Sequence, residues 1–200
     1  KVNTDNLSDL ILFSNKDNVY KVKGFLLTKI NEKEIPLTSL VDGFSKGERI
    51  IDIYSIKDFT MEKMLYFFTK KGMVKKTSLS EYGAEYLVQQ AYKFKYENDE
   101  IIAVGMADDV LSDVIIVTKG GMAIKFSSEN VNPMGRIASG VTGISLKDGD
   151  EAIAAKVKEN YEDLGIINND TITLISKKKE KKDIIATDIK LQNRAGRGTV

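Results

Sequence analysis

The sequence predicts an all-β protein of repeated, propeller-like blades, and three observations predict it. An apolar run, a tight polar turn and a lysine-bearing return strand follow one another four times. A second unit, an acidic turn opening into an apolar run, occurs three times in step with the first. The 200 residues contain only two prolines and no strong helical stripe. A period near fifty residues carried by strand-turn-strand units signals a propeller or a solenoid.

The first unit reads Leu10-Ile11-Leu12-Phe13-Ser14-Asn15-Lys16-Asp17-Asn18-Val19-Tyr20-Lys21. It recurs from Leu65 to Lys76, from Val114 to Lys125 and, more loosely, from Ile172 to Lys179. The Ser or Thr closing each apolar run stands at 14, 69, 118 and 176, steps of 55, 49 and 58 residues. The runs are rich in β-branched and aromatic residues, as buried strands require, so Phe13, Phe67, Phe68 and Phe126 are assigned to the core. The turns offer Asp17, Gly72 and Gly121 where a hairpin needs positive φ, whereas the fourth has Lys179. The return strands Val74-Lys75-Lys76-Thr77 and Ala123-Ile124-Lys125-Phe126 alternate, which predicts charged groups facing water.

The second unit begins at Gly47, Asn98 and Gly149, two steps of 51 residues. Hairpin, connection, turn and strand make roughly four short strands, one blade. The expected organisation is a single repeat domain over 1–200, with blades at approximately 7–56, 57–107, 108–158 and 159–200. That is about four blades or a partial disc. Tyr82 to Tyr96 is ambiguous, because Leu87 to Ala91 could form a short helix; alignment with the sister repeats assigns it as strand.

Composition excludes several functions. The 42% hydrophobic content lies in runs too short for a membrane span, and no export signal is visible. The chain starts at Lys1 without an initiator Met and stops inside its fourth repeat, so it is read either as a piece of a longer protein or as an array that closes by pairing its first strand with its last. Zero cysteines exclude disulfides and thiolate metal sites, which fits a reducing cytoplasm. Zero histidines remove the commonest general base, every Ser-His or Cys-His arrangement and imidazole ligands. Asp108-Asp109 and Asp148-Gly149-Asp150-Glu151 are the usual composition of turns. No phosphate-binding glycine loop is present. Neither a catalytic residue nor a metal site is assigned.

The net charge is only +1, from 30 basic and 29 acidic residues, so a polyanion partner requires the charges to be segregated in space. Lys16, Lys21, Lys23, Lys70, Lys71, Lys75, Lys76, Lys119 and Lys125 fall on hairpin turns and return strands, and Lys177 to Lys182 hold five lysines in six positions. Around an axis, these lysines would form a basic belt on the rim, with the acids of the second unit elsewhere. Lysines on exposed strands also keep sheets soluble and block edge pairing. Both readings remain open on charge alone.

Phe67 to Tyr82, Val117 to Phe126 and Pro133 to Ile144 resemble blades of the C-terminal domain found in the A subunit of bacterial DNA gyrase. The homologous subunit of topoisomerase IV is a close second. The resemblance covers most of residues 7 to 200. It implies a β-pinwheel whose blades exchange a strand with their neighbours, and a basic rim that wraps duplex DNA without sequence specificity. In gyrase the wrap biases strand passage toward negative supercoiling; in topoisomerase IV the domain captures DNA segments for decatenation.

The resemblance further implies the N-terminal part of the same polypeptide and the topoisomerase B subunit as partners, no membrane, and a cytoplasmic, nucleoid location. ATP and magnesium would belong to other parts of the holoenzyme, with no cofactor in this segment, which would be a non-catalytic arm of an isomerase. The gyrase family carries a heptapeptide, Gln-Arg-Arg-Gly-Gly-Arg/Lys-Gly. Gln192, Arg194, Gly196, Arg197 and Gly198 match it, whereas Asn193 and Ala195 depart, and the match stands after three repeats rather than in the first.

The expected DNA contacts are Lys16, Lys21, Lys70, Lys71, Lys75, Lys76, Lys119, Lys125, Arg136, Lys177, Lys178, Gln192, Arg194 and Arg197. Gly196 and Gly198 would let the backbone approach phosphates. A rival of a different class is a propeller-like protein-interaction scaffold.

Overall fold

The structure, a computed structural model, describes residues 1–30, 34–159, 171–175 and 179–200. Each repeat forms its hairpin: β1 (Asp9–Ser14) with β2 (Asn18–Lys23), β4 (Lys63–Thr69) with β5 (Met73–Ser78), β8 (Ser112–Thr118) with β9 (Ala123–Ser127), and β12 (Thr171–Ile175) with β13 (Lys181–Ile185). The strand after each acidic turn folds back onto the first strand of its own hairpin. Thus β3 (Ile50–Ile56) pairs with β1, β7 (Ile101–Asp108) with β4, and β11 (Ala152–Glu159) with β8. Gly47, Asn98 and Gly149 open these turns in the left-handed region, at φ 77°, 56° and 77°.

The last strand of a sheet comes from the following repeat. The short strands β6 (Val88–Gln90) and β10 (Val141–Thr142) pair with β2 and β5, and Thr199 bridges Ala123 on β9. Exchange satisfies backbone groups that would otherwise lie open along the sheet edge. Glycine is required where the exchanged chain arrives. A Cβ on Gly140 or Gly198 would stand 2.4 or 2.6 Å from the carbonyl oxygen of Val74 or Ala123.

Between Tyr82 and Tyr96 the strand assignment holds only for Val88–Gln90, and the helical alternative does not form; a 3-10 turn covers Leu79–Tyr82. A single helical turn, α1 (Gly24–Leu27), was not anticipated. No helix among the described residues is long and apolar enough to cross a membrane.

The strands β3, β7 and β11 are neighbours across blades. The Tyr54 hydroxyl donates to the Val104 carbonyl at 3.0 Å, and a Cβ on Gly105 would lie 2.5 Å from Val157 Cγ1. These strands therefore face the common axis, and the exchanged strands line the outer edge. Aromatic side chains fill the space between the first two blades, with Phe13 and Phe67 edge-to-face at 5.3 Å. Phe13, Phe67, Phe68 and Phe126 are buried as expected.

The expected alternation on β5 fails. Val74, Lys75, Lys76 and Thr77 are all buried. The strand lies between β4 and β10 in its sheet and blades pack on both faces, so it has no water side.

Candidate nucleic-acid interface

Asn15, Lys70 and Lys119 occupy equivalent places after their hairpin strands. Their N–H groups donate to the carbonyls of Arg49, Glu100 and Glu151, each at 2.9 Å. The register causes this, because the acidic turn opens the strand that pairs with the end of the hairpin strand. The side chains then form an alternating chain across three blades. Glu100 accepts from the Asn15 amide at 3.0 Å and from Arg49 at 3.2 Å, with Lys70 3.9 Å away. Glu151 meets Lys70 at 3.2 Å and Lys119 at 3.1 Å. The bond from Lys119, then that from Lys70, holds the Glu151 carboxyl below its usual range. The bond from Asn15, then that from Arg49, holds Glu100 down despite its partial burial.

The expectation that the acids lie away from the lysines is therefore corrected: Lys70 and Lys119 are already engaged. Lys71 is exposed and Lys16 half-buried, and neither forms a salt bridge among the described residues. Asp150 caps its neighbouring hairpin, accepting from the Gly120 and Glu151 N–H groups at 2.8 Å and from the Thr118 hydroxyl at 2.7 Å.

Lys21, Lys76 and Lys125 stand at one equivalent position, opposite Ile11, Tyr66 and Ile115. Against the expectation of charged groups facing water, Lys21 and Lys76 are buried, while Lys125 is half-buried. The Lys21 ammonium donates to the Ala84 carbonyl at 2.6 Å and lies 4.4 Å from the centre of the Phe59 ring; burial lowers its pKa. Lys76 is buried and paired with Asp109 at 3.0 Å. Lys125 donates to the Ala186 carbonyl at 3.1 Å. Lys75 is wholly buried, with burial and then the nearby Arg136 pushing its ammonium down to about 7. In this arrangement Lys21, Lys75, Lys76 and Lys125 hold the blades together.

The outer edge carries a different set of cations. Arg136 and Arg194 stand at equivalent positions, each four residues before the glycine that meets the neighbouring strand. The Arg136 guanidinium donates to the Gln90 carbonyl. Arg194 donates to the carbonyls of Thr142 at 2.6 Å and Asn130 at 3.0 Å. Carbonyl partners orient a guanidinium without cancelling its charge. Arg197 is exposed.

Lys93, Lys95 and Lys147, which the sequence reading missed, are exposed just after the exchanged strands. Lys95 and Lys147 recur 52 residues apart, a signal that could have found them. The first blade's counterpart, Ala84 to Leu87, has no cation and exposes Tyr86 and Leu87 by 71% and 54%. The basic edge thus spans the second and third blades.

The heptapeptide match serves packing. Gln192 donates its N–H to the Lys125 carbonyl at 2.8 Å, and its side-chain oxygen would lie 3.3 Å from a Cβ on Gly196. Gly198 admits the Ala123 carbonyl, 2.6 Å from where a Cβ would stand, a structural use of that glycine. Ala195, at a glycine position of the motif, has φ 65°. Lys177 and Lys178 lie outside the described residues.

Residues 63–84 and 112–157 match the family described as DNA gyrase C-terminal domain, beta-propeller. The A subunit of DNA gyrase from Staphylococcus epidermidis (strain ATCC 12228 / FDA PCI 1200) is 32% identical over 193 residues, 94% of this chain and 21% of that protein. Its Staphylococcus aureus (strain MRSA252) counterpart is 31% identical over the same shares. The chain therefore spans about a fifth (21%) of the length of these relatives.

The C-terminal domain of DNA topoisomerase IV superposes with a TM-score of 0.86 at 27% identity, covering 98% of this chain and 58% of that one. The C-terminal domain of DNA gyrase A superposes at 0.74, covering 99% of this chain and 60% of that one; at 21% identity it speaks to the fold.

Proposed function

The chain is a homologue of the C-terminal β-propeller domain of the DNA gyrase A protein, and from that premise we propose that it binds duplex DNA along its outer edge and holds it bent. One observation carries the reading. Arg136 and Arg194 recur at the same outer-edge place in successive blades, oriented by backbone carbonyls, and neither guanidinium forms a salt bridge among the described residues, although the Glu81 carboxylate accepts from the Arg136 backbone N–H at 3.4 Å. Lys93, Lys95, Lys147 and Arg197 extend the positive edge.

Each phosphate met by such a cation releases condensed counterions, which drives binding with little regard to sequence. Bending a site of about 20–30 base pairs costs roughly 1–6 kcal/mol, which several edge contacts can offset. In this reading the domain is a non-catalytic arm of a type IIA topoisomerase in the bacterial nucleoid. It works beside the N-terminal part of its own polypeptide and the topoisomerase B subunit, which together supply strand cleavage and the ATP- and magnesium-dependent steps.

The better superposition on topoisomerase IV favours a second reading, segment capture for decatenation. The test is duplex binding across a salt series. Affinity should fall steeply with salt and ignore sequence; a flat response would favour a protein-interaction scaffold. Supercoiling against decatenation by the assembled enzyme separates the two topoisomerase readings.

A further inference from the structure

We propose that Lys75 is a positioning residue: its buried ammonium clamps the outer-edge segment 136–139 onto residues 90–93 and thereby aims Arg136. The aim of Arg136 matters through the DNA-binding reading; the clamp itself does not depend on it. The Lys75 ammonium donates to the carbonyls of Ala91 and Arg136, both at 2.6 Å. It lies 4.4 Å from the centre of the Phe67 ring and 5.2 Å from that of Tyr92. The two carbonyls belong to different legs of the strand exchange. Ala91 follows β6, which is given to the first blade, and Arg136 precedes β10, which returns to the second.

Around this joint the Tyr92 hydroxyl donates to the Ser139 carbonyl at 2.5 Å, the Lys93 N–H to the Ala138 carbonyl at 3.3 Å, and the Arg136 guanidinium back to Gln90.

Packing alone does not call for a lysine here. Tyr20 and Ile124 occupy the same position on β2 and β9, opposite Leu12 and Ile116 as Lys75 is opposite Phe67. An ammonium buried with no carboxylate partner is costly unless hydrogen bonds satisfy it. The third blade, with Ile124, holds its edge differently: Arg194 makes two carbonyl bonds of its own, and the Ala195 N–H donates to Gly143 at 2.8 Å.

The experiment compares Lys75→Met, and Lys75→Ile should the first fold poorly, with the wild type in the intact protein. Amide exchange over 136–140 should accelerate while β4 and β8 stay protected. The Arg136 Nε–H resonance should lose its slow side-chain rotation. Duplex affinity should drop roughly five- to tenfold, the worth of one ordinary hydrogen bond, with an unchanged salt slope. In an Arg136→Gln background the same substitution should cost nothing further. Unaltered exchange and an unaltered Arg136 resonance would overturn the proposal, as would an equal affinity loss in the Arg136→Gln background. If no variant binds duplex, the DNA reading fails while exchange and resonance still decide the clamp.

Discussion

Lys70 and Glu151 meet across a blade boundary, Nζ 3.2 Å from the carboxylate oxygen, and Lys119 takes the other oxygen at 3.1 Å. One glutamate thus occupies two lysines that would otherwise face solvent. Glu151→Gln should release Lys119 and leave Lys70 only its longer contact with Glu100. Duplex affinity should rise, and the salt slope should steepen by about 0.9 for each lysine that then reaches a phosphate. Thermal stability should hardly change, since single surface ion pairs contribute little. Equilibrium binding at several salt concentrations checks this.

The same chain predicts acid sensitivity. Glu100 and Glu151 have folded pKa values below their ordinary 4.5. Such groups stabilise the fold above pH 4.5, and that contribution is lost as pH falls through the folded value. The thermal midpoint should decline below pH 4.5, and Glu100→Gln should flatten the decline, read by circular dichroism.

Lys75 predicts a rise of stability with pH in the alkaline range as well. Its ammonium titrates near 7 in the fold against 10.5 when free, with burial and Arg136 pushing it down and Glu81 opposing. Between those values the unfolded chain holds a proton that the native chain has released, so stability rises with pH, by up to about 1.4 kcal/mol per unit. The stability difference between wild type and Lys75→Met should therefore shift in favour of wild type from pH 7 upward. Denaturant titrations at pH 6, 8 and 9 measure it.

Ala195→Gly should stabilise the protein. A left-handed alanine is strained relative to glycine, so the gain is roughly 0.5–1 kcal/mol after glycine's extra chain entropy. Gly140→Ala should do the reverse by more than about 1 kcal/mol, because positive φ and the Val74 carbonyl both oppose a methyl group. Melting midpoints of the two variants test both signs.

The repeat, the hairpins and the turn glycines were legible because each depends on local chemistry: apolar strands, and positive φ at Gly72, Gly121, Gly47 and Gly149. Strand exchange left no such local mark. Val88-Gln89-Gln90 and Val141-Thr142 are short, and nothing in their composition says which sheet they join. Lys75 was misread for a related reason: period-2 alternation reports a water face, and a central strand between packed blades has none. The outer-edge arginines were visible in outline, since Arg136 and Arg194 are 58 residues apart, the same step that separates Thr118 and Ser176. The pairing of Glu151 with Lys70 and Lys119 needed the strand register, which brings the acidic turn beside the hairpin turn.

The most direct test of the central claim compares two sets of charge removals in duplex binding across a salt series. Arg136→Gln, Arg194→Gln and Arg197→Gln together should lower the salt slope by about 2–3 and weaken binding to every sequence alike. Lys21→Met and Lys125→Met should leave that slope unchanged. If the arginine set binds duplex with the wild-type slope while the return-strand lysines set it, the outer edge is not where DNA lies.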